Sequence, residues 1–365
     1  ILSQQLEWTL RPWYEQFLEE GNQSVQGTGK SEESSAHGCC GWWVTGPATK
    51  NGQTYVTRHS QGEGLGRENA HGVAYVLIPE DSRAHVTFVQ TAAGDIGGSG
   101  QAFNEYGVYV GWAVVPSNKD AAEKQAIGVP EYVYNLPAVI YSKSAEEAKD
   151  YIIFGTPRYR RLTGRKTLLR ARGSNVFFAD EKEAFVVEKV ARQYAVRTSG
   201  YLGEKSNSYL AFSNHFMYED GSYDEDGIFH DDLPMNAHHP EEEGITQTCR
   251  LLRRKWRFNN HFGEINLDML MRDLSTMHYA YDREGNKIEA DPVTGLPTVA
   301  TPCLHENISE EYPLGITDSW NVSLAVPATR EIYFIPAMPC QFIDHDWNYV
   351  NLNLYSKYRK ALYGY

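Results

Sequence analysis

The run His37-Gly38-Cys39-Cys40-Gly41-Trp42-Trp43-Val44-Thr45-Gly46 constrains this chain more than any other stretch. Ahead of it, residues 22–38 are Gly, Ser, Gln and Glu with no apolar period, which predicts an exposed loop. Behind it, Trp42 to Thr45 and Gln53 to Arg58 read as two strands around the turn Thr49-Lys50-Asn51-Gly52. Cys39 therefore stands where polar chain meets a buried strand. A buried cysteine pair at a strand start is the plain reading, because cysteine is among the most buried residue types. A chemical reading stands beside it: Gly38 is small, and a thiol at such a junction lies next to the carbonyl that precedes it.

Composition removes several function classes. A chain of 365 residues buries a sizeable core. Its net charge of −13 argues against nucleic acid or an anionic membrane as the main partner, since attraction to phosphate needs a basic face. No apolar run approaches the ~18–20 residues of a spanning helix, and the N-terminus does not read as a signal peptide. The start at Ile1 rather than Met leads us to expect that something upstream has been removed or left out. Five cysteines, at 39, 40, 249, 303 and 340, are odd in number and scattered, so they form no disulfide framework and fix no compartment. No metal or other cofactor is expected. His37 is a lone loop histidine, and neither His59 nor His305 has ligand spacing around it. Asp220-x-Ser222-x-Asp224-x-Asp226-Gly227 partly resembles a calcium loop, but Glu225 occupies the position that needs glycine. The segment from Glu219 to Glu243, with His230, His238 and His239, reads instead as a solvated acidic loop. Asn307-Ile308-Ser309 and Asn321-Val322-Ser323 match the glycosylation triplet, a pattern that chance supplies often.

Residues 6–20 have helical spacing (Leu6, Leu10, Trp13, Phe17), with Pro12 marking a start or kink. Strand-like runs follow at 72–78, 84–90, 107–115, 175–179, 184–190, 193–198, 208–213, 320–326 and 331–335. The short polar links Asp180 to Glu183 and Pro327 to Arg330 predict antiparallel hairpins. Ser144-Ala145-Glu146-Glu147 is a capping box opening a helix to about Phe154. Further helices are predicted at 249–259 and 266–278, the second with Leu267, Leu270, Met271, Leu274 and Met277 on one face. Antiparallel strands, then helices, then strands again fit an α+β fold, a four-layer αββα sandwich of two antiparallel sheets. The predicted organisation is a helix and linker over residues 1–38 followed by one domain over 39–365.

Four blocks carry a family resemblance. Cys39-x-x-Trp42-x-x-x-Gly46-x-x-Thr49-Lys50-Asn51-Gly52, followed by Arg58, resembles the opening of the mature chain in N-terminal-nucleophile hydrolases of the linear-amide branch. That branch includes choloylglycine hydrolases, penicillin V acylases, the isopenicillin N acyltransferase family and phospholipase-B-like proteins. Gly94-Asp95-Ile96-Gly97-Gly98-Ser99-Gly100, running into Asn104-Glu105-Tyr106-Gly107-Val108, is similar to its glycine block and strand start. Ser213-Asn214-His215-Phe216 is similar to the strand with its active-site asparagine, and Thr246-x-x-Cys249-Arg250-Leu251-Leu252-Arg253 to the helix start with a second arginine. The blocks occur in family order and span roughly residues 39–340.

The resemblance implies self-cleavage between Gly38 and Cys39. Cys39 would then be both nucleophile and, through its new α-amine, base. Cys40 is the alternative nucleophile. Arg58 would stabilise the thiolate by Coulomb attraction, Asn214 would donate to an oxyanion, and Arg253 would be the second arginine, with Arg250 and Asn104 as secondary candidates. Two positions depart from the family pattern: its aspartate falls on Gln61, and its second oxyanion asparagine on Val114. The implied function is cleavage or transfer of the acyl group of a small linear amide through a Cys39 thioester. The alternatives are a phospholipase-B-like ester hydrolase and a non-catalytic binding member. The expected partners are the substrate and the chain's own N-terminal fragment, with a homo-oligomer left open.

Overall fold

The computed structural model describes residues 39–62, 72–78, 85–90, 101–115, 131–168, 173–190, 192–238, 251, 254–255, 257–271, 318–335 and 347–363. The expected N-terminal helix, the linker and the glycine block at 94–100 lie outside these residues.

Fifteen strands form two sheets among the described residues, and every named strand pairing is antiparallel. Sheet 1 contains β1 (Cys39–Gly46), β2 (Gly52–Gly62), β10 (Tyr209–Phe212), β13 (Asp318–Val326), β14 (Glu331–Ile335) and β15 (Asn348–Asn351), in the order β10-β1-β2-β13-β14-β15. Sheet 2 begins with β3 (Gly72–Leu77), β4 (His85–Gln90), β5 (Gln101–Asn104) and β6 (Tyr109–Val114). It continues through β7 (Ser174–Ala179), β8 (Ala184–Val190), β9 (Gln193–Thr198), β11 (Ser222–Tyr223) and β12 (Phe229–His230), in the order β12-β11-β9-β8-β7-β6-β5-β4-β3.

Side chains alternate across each strand, and three apolar layers follow from that. Cys39, Trp43, Val56 and Phe212 of sheet 1 meet Phe103, Tyr109, Phe177 and Val186 of sheet 2 in the central layer. The Phe177 and Phe212 rings stack at 4.8 Å across it. The opposite face of sheet 1, with Trp42, Tyr55, Tyr209 and Leu324, is covered by Leu251, Phe258, Ile265 and Leu270. The opposite face of sheet 2 is covered by helices α1 (Glu131–Tyr141) and α2 (Ala145–Phe154) through Val139, Ala148 and Ile152. The architecture is therefore the four-layer αββα sandwich.

The capping box opens α2 as expected. Ser144 Oγ accepts from Glu147 N at 3.1 Å, and Glu147 Oε2 accepts from Lys143 N at 2.7 Å. The Asp180 turn is locked by its own carboxylate, which accepts from Lys182 N and Glu183 N, and it is tied to α2 by Ala145 N at 2.8 Å. Of the predicted helix over 249–259, the described residues 251, 254–255 and 257–260 are helical. A one-turn helix follows at Leu267–Met269, capped by Asn266 Oδ1; residues 272–278 lie outside the described residues.

Within the acidic stretch after Glu219, Ser222 to His230 form the small hairpin β11–β12. Asp224 closes its turn by accepting from Asp226 N and Ile228 N, and its Oδ2 meets His230 Nε2 at 3.0 Å. Glu225 pairs with Arg165 and Arg192. No group of three or more His, Cys, Asp or Glu among the described residues is arranged to hold a metal ion. None of the described helices is long and apolar enough to cross a membrane.

Candidate active site

Cys39 is the first described residue and the first of β1, three positions before the strand start expected from the Trp pair. Pairing of Gly41 with Arg58 places the Arg58 side chain on the same face as Cys39, toward sheet 2. Arg58 Nη2 reaches Cys39 Sγ at 3.2 Å, and Arg58 Nε donates to the carbonyl of Trp112 at 2.6 Å. Two glycines make room for this geometry. A Cβ on Gly111 would stand 2.8 Å from Arg58 Cδ, and one on Gly41 would stand 2.5 Å from both the Phe212 ring and Thr57 O.

Strand β10 runs beside β1 and delivers Asn214 past its end. Cys39 N donates to Asn214 Oδ1 at 2.5 Å. The segment holding Asn214 is fixed from sheet 2. Asn175, on β7, donates from Nδ2 to Ser213 O at 2.8 Å and to His215 O at 2.7 Å, so it clamps the carbonyls on both sides of Asn214. Ser213 Oγ and His215 Nδ1 lie 2.7 Å apart. Just beyond, Glu188 Oε2 accepts from Met217 N at 2.7 Å and Tyr218 N at 2.9 Å, while Oε1 accepts from Arg197 Nε at 3.1 Å. Burial pushes the Glu188 carboxyl upward, against the pull of Arg197 and the two N–H donors.

On the other flank of Arg58, a closed triangle links Tyr109 Oη, Gln101 Oε1 and Ser323 Oγ, with sides of 2.7, 2.8 and 2.8 Å. Ser323 is the ladder partner of Arg58. Burial pushes the Tyr109 phenol upward, so it stays protonated.

The other predicted site residues fall elsewhere. Asn104 is buried and its amide is fully engaged with main chain: Nδ2 donates to Val139 O and Ser142 O, and Oδ1 accepts from Tyr106 N and Val108 N. It holds the β5–β6 turn against α1. Cys40 faces the opposite side of sheet 1, where its Sγ accepts from Arg254 Nη2 at 3.1 Å. Gly38, Arg250 and Arg253 lie outside the described residues. Asn175, Glu188, Trp112 O and Arg254 were absent from the sequence-based set. Arg254 had a readable signal, because Leu251-x-x-Arg254-x-x-x-Phe258 puts it on the buried apolar stripe of its helix.

His59, opposite Cys40, is fully buried. Burial first, then the charges of Arg254 and Arg58, hold its imidazole well below the usual histidine range, so it is neutral in the folded chain. The unfolded chain takes up a proton below about pH 6.5 and the folded chain does not. Stability should therefore be fully present above that pH and fall as pH drops below it, by up to ~1.4 kcal/mol per pH unit from this group. Urea unfolding of wild type and His59→Leu between about pH 6.5 and 5 checks this. The variant should show a slope smaller by up to one proton, whatever its absolute stability.

No family model matches the chain, and no curated protein matches it by sequence. Among solved structures, it is similar to a mutant of the conjugated bile acid hydrolase from Clostridium perfringens. That match has 12% identity and a TM-score of 0.47, covering 87% of this chain and 93% of that one. It is also similar to the Caenorhabditis elegans ortholog of N-acylethanolamine-hydrolyzing acid amidase, with 9% identity, TM-score 0.43 and coverage of 86% and 100%. A third similar structure is penicillin V acylase from Agrobacterium tumefaciens, with 11% identity, TM-score 0.37 and coverage of 82% and 83%. At such identities and scores the likeness assigns no residue role and no activity to this chain.

Proposed function

We propose that this chain is a cysteine N-terminal-nucleophile hydrolase that cuts itself between Gly38 and Cys39 and then cleaves a small linear amide through a Cys39 thioester. One observation carries the reading: Cys39 has its main-chain nitrogen on Asn214 Oδ1 at 2.5 Å and its sulfur 3.2 Å from the Arg58 guanidinium. Nucleophile, future amine, cation and amide thus meet at one residue.

In self-cleavage the Cys39 sulfur attacks the Gly38 carbonyl carbon. The C–S bond forms, the C–N bond breaks, and the nitrogen takes the thiol proton; water then hydrolyses the thioester. The freed α-amine stays on Asn214 Oδ1 and serves as base in turnover. It accepts the thiol proton as sulfur attacks the substrate carbonyl, and returns it to the leaving amine. Arg58 favours the thiolate by charge, and the Asn214 Nδ2 donor faces the developing oxyanion. Arg253, carried over by the helix-start resemblance, is proposed as the second arginine, and residues 1–38 as a fragment that stays bound.

Denaturing mass spectrometry tests the cut. Fragments ending at Gly38 and beginning at Cys39 are expected; Cys39→Ala should remain full length, while Cys40→Ala should still cleave. A chain that stays intact under all conditions, or a fragment beginning at Cys40, overturns the reading. Turnover of an acyl anilide but not of the matching ester by the cut protein would separate the amidase from an ester hydrolase.

A further inference from the structure

Behind Cys39, in the layer between sheet 1 and its covering helix, three buried polar side chains carry atoms with no hydrogen-bond partner among the described residues. Arg254 is 2% exposed, and its one hydrogen-bond acceptor among these residues is Cys40 Sγ; its Nε and Nη1 have none. His59, the ladder partner of Cys40, is fully buried, and neither ring nitrogen has a partner among them. Trp42 stands two residues along β1 on the same face as Cys40, and its indole Nε1–H is likewise buried without a described acceptor. These residues are linked through their neighbours on one face of sheet 1. Trp42 packs edge-on against Phe258 at 5.2 Å, Phe258 lies one helical turn from Arg254, and Arg254 reaches back to Cys40.

Indole and guanidinium are donors only, and a neutral imidazole carries one N–H. A buried guanidinium without an anion is strongly disfavoured, and a second uncharged donor would not relieve it. What these described residues lack is one small acceptor with a single negative charge. We propose that Arg254, His59 and Trp42 form a binding site for a small monovalent anion of the halide class. All three side chains are nine-tenths buried or more, a setting that suits a small ion better than a large oxyanion. The site stands apart from the chemistry proposed for Cys39, and its test needs no activity.

The test is thermal unfolding of the full chain at constant ionic strength, with chloride replacing gluconate. Above the dissociation constant, Tm should rise by roughly 2 °C per tenfold increase in chloride. Bromide should act alike, and Arg254→Met should lose the dependence. Wild-type crystals soaked in bromide give a reading that requires no variant, with an anomalous peak expected within hydrogen-bond distance of Arg254 Nε and Nη1. The site is overturned if chloride and gluconate are equivalent and no peak is found, or if Arg254→Met keeps the wild-type chloride response. Ultraviolet thiolate absorbance that persists in Cys39→Ala and disappears in Cys40→Ala would make Cys40 the counter-ion, and would overturn it too.

Discussion

Asn214→Ala is expected to lower kcat by roughly 10²–10³-fold, with KM and chain cleavage less affected. The structure shows the acceptor half of this amide, and the proposed function assigns the donor half to the oxyanion. Its Oδ1 accepts from Cys39 N, and Asn175 fixes the main chain on both sides. A donor held this way costs little reorganisation when a carbonyl oxygen gains charge, so its removal is felt in the transition state more than in substrate binding. Asn214→Asp separates the two functions, since it keeps an acceptor for Cys39 N and removes the donor. It should be slowed about as much as the alanine variant. Steady-state kinetics on a chromogenic acyl anilide reads both, and an unchanged kcat would remove Asn214 from the reaction.

Glu188→Ala should destabilise the fold by about 3–5 kcal/mol, the usual cost of removing one partner from a buried ion pair. Glu188 and Arg197 are both fully buried, and the Arg197 Nη1 and Nη2 atoms have no hydrogen-bond partner among the described residues, so the carboxylate is its principal compensation. The same change releases Met217 N and Tyr218 N. Glu188→Gln, which retains an acceptor, should lose less. Urea unfolding gives the stability difference; a loss near that of an ordinary surface substitution, within about 0.5 kcal/mol, would show that the pair is replaceable. Because these bonds anchor the segment that follows Asn214, the alanine variant should also turn over more slowly where it remains folded.

Much of the fold was legible because its signals are local. The runs at 72–78, 175–179, 184–190, 193–198 and 331–335 became strands within a residue or two, and Ser144 with Glu147 marked a helix start that formed as read. Helix α1 escaped because Pro137 sits inside it. The C-terminal helix Leu352–Tyr363, with three Tyr, two Lys and one Asn among its residues, offered no clean apolar stripe. Strand order was not legible at all. Nothing near Cys39 reveals that β10 lies beside it, or that Asn175 reaches across from the other sheet. Such contacts depend on tertiary register, which leaves no pattern within a window of sequence. The sequence left Cys40 as the alternative, and the structure places the two cysteines on opposite faces. Cys39 and Cys40 alternate across β1, and only Cys39 shares a face with Arg58. Asn104, picked out by its motif, bonds to main chain at the β5–β6 turn.

The contact between Cys39 and Asn214 spans 175 residues of chain, and β2 must also be closed by β13, which begins at Asp318. A nascent chain that has emerged from the ribosome only as far as α2 already carries the thiol and Arg58, yet lacks the amide that orients Cys39 and the strands on either side of the β1–β2 hairpin. Pairings so distant in sequence form late. On the proposed reading sheet 1 would act as a timer: the β1–β2 hairpin that carries Cys39 and Arg58 gains its neighbours β10 and β13 only when synthesis has passed Asp318, so the cut would come late.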